Sequence, residues 1–347
     1  MRYQLLGNSG LRVSELCLGT MTFGDVLGWG ADFDESRRMF ETYLAAGGNF
    51  IDTANNYTMG TSEGFLGDLI GPHRERLVVA TKATMAPARD DPNAGGNHRK
   101  NIVQTVETSL TRLKTSYLDL LWIHAWDAIT PIEELMRTLD DLVRQGKVLY
   151  VGISNTPAWV IAQANTIASL RGWTPFAGIQ VEYNLAERTP EREMLPMARA
   201  LGLGVTAWSP LAAGLLTGKY RERANGTDDA SPKRGDATVV PHHHERTLAI
   251  ADGVVDVAEE IGCPPAQVAL AWVRQQGAIP VLGGRNAAQI AGNIDSLEIT
   301  LSAEQLARLD EATAIVHGYP TDFLARDGVR GSVYGGMRGQ IKDPRLA

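Results

Sequence analysis

Leu118-Asp119-Leu120-Leu121-Trp122-Ile123 runs into His124, as Leu77-Val78-Val79-Ala80-Thr81 runs into Lys82 and Asn49-Phe50-Ile51 into Asp52. Each is a short apolar run of the length expected for a strand buried on both faces. Each stops at a polar residue followed by turn-prone sequence. Polar strand ends leading into loops are the form of an active site at the carboxyl edge of a parallel sheet.

Outward from these runs the chain alternates. Strand-like segments fall near 15–19, 48–52, 77–81, 118–123, 148–153, 177–181, 204–208 and 278–282. Amphipathic stretches follow near 34–47, 62–70, 99–114, 132–145, 157–170, 190–201, 264–276 and 286–294. Pro131-Ile132-Glu133-Glu134 opens one of them with a proline at the first turn and acids at the positive helix end. Eight strands alternating with eight helices predict the α/β class and a closed (β/α)8 TIM barrel that spans residues 1–347 as one domain. Three additions are expected. Residues 1–14, with the turn cluster Leu6-Gly7-Asn8-Ser9-Gly10-Leu11, read as an N-terminal β-hairpin. Two extra helices are expected at 245–262 and 302–315, the second opened by Ser302 and Gln305 as a capping box. The aperiodic segment 221–241 reads as a mobile loop over the site, and 316–347 as a C-terminal extension.

Composition narrows the function. A net charge of -7 without a dense Lys/Arg run argues against nucleic acid or an anionic membrane as partner. No run reaches the roughly 18 apolar residues a membrane span needs, and the opening residues have no extended apolar core or cleavage-like site. Cys17 and Cys263 lack metal-ligand spacing and read as reduced thiols, so a cytoplasmic, soluble protein is expected. His242-His243-His244 is a consecutive triplet without a preorganised partner, and no metal is assigned to it.

Phosphate contacts must therefore be local. Gly202-Leu203-Gly204-Val205-Thr206-Ala207 matches a dinucleotide fingerprint formally, but it precedes a strand, so the helix terminus that should hold the pyrophosphate is missing. Better candidates are Ser209-Pro210-Leu211-Ala212-Ala213-Gly214-Leu215-Leu216-Thr217-Gly218-Lys219 and Gly283-Gly284-Arg285-Asn286, which follow the last two strands.

Asp52, Tyr57, Lys82 and His124 together suit proton delivery by a weak acid. A phenol with a pKa of about 10 donates poorly at neutral pH unless its phenolate is stabilised. Lys82 would supply the stabilising charge, Asp52 would hold the ammonium, and His124 would orient a carbonyl oxygen.

With these residues in view, the chain resembles the aldo-keto reductases, from Gly19-Thr20-Met21-Thr22-Phe23-Gly24 to the last barrel helix. The most specific pieces are Asp52-Thr53-Ala54-Asn55-Asn56-Tyr57 with Gly60-Thr61-Ser62-Glu63, the isolated Lys82, His124-Ala125-Trp126-Asp127, and Gly146-Lys147-Val148-Leu149-Tyr150-Val151-Gly152-Ile153-Ser154-Asn155. The resemblance implies reduction of a small-molecule carbonyl by NADPH, with Tyr57 as general acid. It implies that Gly19, Thr20, Met21 and Asp52 border the cofactor, Ser154, Asn155 and Gln180 hold its carboxamide, and Trp208 stacks on the nicotinamide. Ser209, Pro210, Leu211, Gly214 and Lys219 would line the pyrophosphate, and Gly283, Arg285, Gln289 and Asn293 the adenosine end. Arg285 would favour a 2′-phosphate, although Gly292 stands where the family often carries an acid. The long loop after strand seven and Tyr319-Pro320-Thr321-Asp322-Phe323 point to the branch of aryl-alcohol, aldehyde and sugar-ketone reductases. Trp29 and Trp126 are expected as substrate walls beside Tyr57 and His124. Two other readings stay open: a nicotinamide-sensing subunit of the channel β-subunit kind, and a phosphate-binding barrel isomerase or aldolase with Lys82 as a Schiff-base lysine. The oligomeric state is not legible.

Overall fold

A parallel strand covered on both sides reads as a near-continuous apolar run, and the strands of this chain are largely of that kind, with polar residues concentrated toward their carboxyl ends. A computed structural model of the protein describes residues 1–26, 28, 30–86, 90–218 and 245–342. Trp29, Lys219, the 221–241 segment, His242-His243-His244 and residues 343–347 lie outside the described residues.

A two-stranded antiparallel hairpin, β1 (Tyr3–Leu5) and β2 (Arg12–Ser14), precedes the barrel. The barrel strands are β3 (Cys17–Gly19), β4 (Phe50–Asp52), β5 (Val78–Ala83), β6 (Leu118–Ile123), β7 (Val148–Ser154), β8 (Phe176–Glu182), β9 (Gly204–Trp208) and β10 (Ile279–Leu282). They close in sequence order, with β10 pairing β3. Helices α1 (Phe33–Ala45), α2 (Thr61–Leu69), α3 (Arg99–Arg112), α4 (Ile132–Arg144), α5 (Ala158–Arg171) and α6 (Met194–Leu201) connect the first seven barrel strands. Pro265–Gln275 leads into β10, and Ala287–Ile294 follows it. The two additional helices are Glu245–Ile261 and Ala303–Ala312, the latter with the capping box of Ser302 and Gln305 formed in both directions.

Strand ends differ from expectation by about two residues. β5 runs through Lys82 to Ala83, because those residues still pair with Trp122 and Ile123. β3 and β4 begin later than expected, at Cys17 and Phe50. Beyond residue 316 the chain forms two short helices, Thr321–Leu324 and Asp327–Val333, whose side chains are almost all exposed.

The two-residue period of the strands sorts their side chains. Leu18, Ile51, Val79, Leu121, Ile123, Val151 and Ile153 face outward into the layer shared with the helices. Cys17, Phe50, Val78, Ala80, Leu120, Trp122 and Ile279 fill the interior, where Leu6 and Val13 of the hairpin join them as a plug. The plug is backbone-tight: a Cβ on Gly7 would lie 2.4 Å from Gly204 N and 2.5 Å from Gly202 O. Continuing the inward alternation past the apolar layers brings Asp52, Lys82, His124, Ser154, Gln180 and Trp208 to the open end. An apolar floor thus lies beneath a polar mouth.

Trp122 is fully buried in that floor, and it fits because β7 and β8 place glycines beside it. A Cβ on Gly152 would sit 2.3 Å from the indole ring. Gly152→Ala is therefore expected to destabilise the protein by about 1–3 kcal/mol through overpacking, read as a lower denaturant midpoint. An unchanged midpoint would mean that the interior can relax around the indole.

Candidate active site

Lys82 stands inside the barrel mouth with no exposed surface, and an ammonium there must find acceptors. Its Nζ donates to Asp52 Oδ2, to Thr53 O at 2.9 Å and to Tyr57 OH at 3.2 Å, which uses all three protons. The other oxygen of Asp52, Oδ1, accepts from Gln180 Nε2 at 3.1 Å. Burial alone pulls the Lys82 pKa down, but the charges of Asp52 and Tyr57 and their hydrogen bonds outweigh it, leaving the pKa raised. The ammonium is the resident form. Gly19 pairs with Asp52 across the strands, and Thr20 N donates to Asp52 O at 2.9 Å, so the β3 end borders the pair.

Tyr57 sits on a tight turn after β4. Thr58 (φ 46) and Met59 (φ 59) both take left-handed backbone, which side chains with a Cβ adopt at a cost. The turn is held by hydrogen bonds. Thr58 Oγ1 donates to Phe23 O at 2.6 Å and accepts from Ser62 N at 3.1 Å. Ser62 Oγ lies 2.9 Å from both Thr20 Oγ1 and Thr53 Oγ1. Next to it Glu63, fully buried, accepts from Thr81 Oγ1 at 2.7 Å and from Arg112 at 3.1 Å, while Arg112 also donates to Asn55 O at 2.9 Å. Sequence reasoning used Ser62 and Glu63 only as family markers and missed Arg112. The signal was present: Glu63, Leu66, Gly67 and Ile70 share the i, i+3, i+4, i+7 stripe that α2 buries. A carboxylate on a buried stripe requires a cation or donors.

His124 follows β6, and its ring meets the Tyr57 ring edge-on with centroids 6.0 Å apart. Burial first, and the Lys82 charge second, push its pKa down from 6.5 to about 3, so the imidazole is neutral. Nδ1 is buried without a partner. Asn155, in left-handed backbone (φ 44), donates to His124 O at 2.8 Å and accepts from Trp208 Nε1 at 3.3 Å. One side chain thus ties the ends of β6, β7 and β9 together. Ser154, buried and paired with Gln180 across the strands, has an Oγ with no partner. Trp126 is half-buried and packs edge-on against Trp159 at 5.7 Å.

The loop after β9 departs from a simple glycine-rich turn. Ala212–Thr217 forms a 3-10 stretch in which Ala212 (φ 47), Ala213 (φ 53) and Gly214 (φ 91) follow Ser209 (φ 51) into left-handed backbone. Asn184 Nδ2 donates to Ser209 O at 3.0 Å and steadies its start; Pro210 is buried and Leu211 half-buried. After β10, Gln289 and Asn293 turn inward on their own loop: Gln289 Oε1 accepts from Arg285 N at 2.8 Å, and Asn293 Nδ2 donates to Gly283 O at 3.2 Å. The exposed Arg285 side chain makes no hydrogen bond or ion pair among the described residues. The structure thus gathers Asp52, Tyr57, Lys82, His124, Ser154, Asn155, Gln180 and Trp208 at the mouth. Arg285 lies on the loop after β10.

The sequence profile described as "Aldo/keto reductase family" matches residues 15–314. The chain belongs to the aldo/keto reductase family. Among its relatives, norsolorinic acid reductase of Aspergillus flavus is 36% identical over 334 residues, covering 92% of this chain and 83% of that protein. An aryl-alcohol dehydrogenase [NADP(+)] of Phanerodontia chrysosporium is 36% identical over 338 residues, covering 91% and 87%. A putative aryl-alcohol dehydrogenase of Saccharomyces cerevisiae is 34% identical over 337 residues, covering 92% and 88%. This aldo-keto reductase is accordingly an NAD(P)H-dependent oxidoreductase built on a (β/α)8 barrel. Among the described residues no helix is long and apolar enough to cross a membrane.

The depressed His124 pKa has a sign in stability. An unfolded imidazole takes a proton below its ordinary pKa of 6.5, while the folded one resists until about 3. The folded state keeps its full advantage above that window and loses it as the pH falls through it. His124→Gln is expected to flatten this acid loss by roughly 2–3 kcal/mol at pH 4, from urea unfolding at pH 7 and pH 4. Parallel losses in the two proteins would assign the acid sensitivity elsewhere.

Proposed function

We propose that this aldo-keto reductase reduces an aldehyde or ketone with NADPH, and that Tyr57 is the general acid. The observation that carries the reading is the Lys82 ammonium, buried and donating to Tyr57 OH at 3.2 Å with Asp52 behind it. Bound nicotinamide would supply a hydride to the carbonyl carbon. Tyr57 gives its hydroxyl proton to the carbonyl oxygen, and the phenolate it leaves faces the Lys82 charge, so proton loss is compensated where it occurs. Neutral His124 can donate a hydrogen bond to the same oxygen without bringing a competing charge. The apolar layer below the tetrad keeps water from that side.

The residues present fit the cofactor. Ser154 Oγ is a buried polar atom lacking a partner, which an amide group would satisfy beside Asn155 and Gln180. Trp208 offers a half-exposed ring whose orientation Asn155 fixes. Gly19, Thr20 and Met21 would border the nicotinamide, the Ser209, Pro210, Leu211 and Gly214 loop would hold the pyrophosphate with Lys219, and Gly283 to Asn293 would hold the adenosine end. Trp126, with Trp29 outside the described residues, would wall the substrate. Val26, Met59 and Ile129 expose 57%, 68% and 86% of their surface on mouth-side loops, which favours aromatic or aliphatic carbonyls over keto-sugars. The relatives named for aryl alcohols support that class. A Schiff-base role for Lys82 is disfavoured, because that chemistry needs a neutral amine and this nitrogen is held as an ammonium.

Tyr57→Phe is expected to lower turnover by about 10²-fold or more while NADPH binding stays near wild type, since the ring remains and the proton is lost. Near wild-type turnover would remove Tyr57 from the chemistry. Arg285→Ala is expected to lower the NADPH over NADH affinity ratio by about tenfold, through loss of a charge-assisted bond to the 2′-phosphate, as read by fluorescence titration. An unchanged ratio would take Arg285 out of the cofactor site.

A further inference from the structure

The helix Ala287–Ile294 opens directly against the first turn of α1, and the joint between them is a carboxylate. Glu35 Oε1 accepts from Ala287 N at 2.7 Å. Its other oxygen, Oε2, accepts from Arg38 Nε at 2.8 Å. The approach is fixed from both sides: Asp32 caps α1 by accepting from Glu35 N at 2.8 Å, and Thr22 Oγ1 donates to Gly284 O at 2.6 Å. Glu35 thus bridges a helix-opening N–H and a guanidinium, two donors of the kind that receive a phosphate. The Ala287 N–H first, and Arg38 second, hold its carboxyl below the usual carboxylate range, so it carries its charge at neutral pH. Asp32 and Asp34 stand beside it, and Arg37 is already paired with Asp34. Arg285 therefore belongs to the loop that meets this locally acidic helix start.

We propose that Glu35 is a specificity-determining residue of the cofactor site, one that opposes a ribose 2′-phosphate, admits a 2′-hydroxyl, and so lets this enzyme bind NADH as well as NADPH. The proposal rests on the reading of residues 283–293 as the adenosine end. A carboxylate can accept a hydrogen bond from a ribose hydroxyl, the means by which an acidic residue selects NAD in dinucleotide folds, whereas a phosphate of charge near -2 is repelled. Discrimination is then set by Arg285 acting against Glu35. Arg38 is the modulator, because it neutralises the carboxylate in place.

The test is fluorescence titration of NADPH and NADH against wild type, Glu35→Gln, Arg38→Ala and Arg285→Ala, at low and high salt. Glutamine keeps an acceptor for Ala287 N–H and removes the charge, so the helix joint survives; equal thermal midpoints check this. Glu35→Gln is expected to tighten NADPH by about fivefold or more, with NADH changing by less than about twofold. The gain should shrink at high salt, since the carboxylate retains access to solvent. Arg38→Ala, which leaves the carboxylate without its counter-charge, should move the NADPH to NADH ratio the opposite way. If Arg285→Ala lowers the ratio but Glu35→Gln leaves it unchanged, the adenosine site stands and the role of Glu35 falls. If wild type binds neither nucleotide, the cofactor reading and this inference fall together.

Discussion

The buried ammonium of Lys82 is the constraint around which the open end of the barrel is arranged. A charge with no exposed surface is tolerable only when every proton is accepted. Three acceptors from the β4 end and the loop after it converge on one nitrogen, so the strand must stop, turn and return within a few residues. Asp52 must itself be satisfied, which recruits Gln180 from across the barrel. Removing one partner of such a pair costs about 3–5 kcal/mol, whereas replacing the whole group by apolar residues need not destabilise. The pair is therefore weak as a source of stability and informative as a sign of function.

Strain follows the same geometry. Among the described non-glycine residues, left-handed backbone occurs at Thr58, Met59, Thr84, Asp90, Ala128, Asn155, Ser209, Ala212 and Ala213, beyond carboxyl ends of barrel strands, and at Lys114, in the turn between α3 and β6. Each costs on the order of 1–2 kcal/mol, and such residues persist only where their surroundings over-determine them. The over-determination is visible: Thr58 is held through Phe23 and Ser62, and Ser209 through Asn184. Glu63 and Arg112 brace the same region from the outer side, which is why a buried carboxylate on α2 belongs to the site although it touches none of the tetrad.

The barrel was legible in the sequence because its strands obey a single rule. Runs buried on both faces, spaced by amphipathic helices, leave little freedom of topology. The tetrad was legible for a related reason, since Asp52, Lys82 and His124 interrupt apolar runs at positions where only the mouth can accept a charge. Strand ends were less so. Lys82 stays within β5 because its pairing with Trp122 outlasts the apolar run, a fact of register and not of composition. The loop after β9 was legible as a phosphate-binding candidate, yet alanines adopt much of its left-handed backbone, and no propensity announces that.

Glu35 escaped for the opposite reason. On α1 it reads as an ordinary solvated acid in a first turn, three residues from a matching arginine. Its significance arises only when barrel closure carries β10, and with it residue 287, back to the start of the sequence. Residues near 20–38 and 283–293, separated by most of the chain, thereby share one edge of the mouth. Closure makes the first and last barrel strands neighbours, so the loop after β10 meets a helix that lies some 250 residues earlier in the chain, which is what the proposed adenosine end would draw on. On the proposal made for Glu35, a charge on α1 would tune cofactor choice while leaving the proposed proton-transfer group untouched, because Tyr57, Lys82 and Asp52 take their fields from one another at far shorter range.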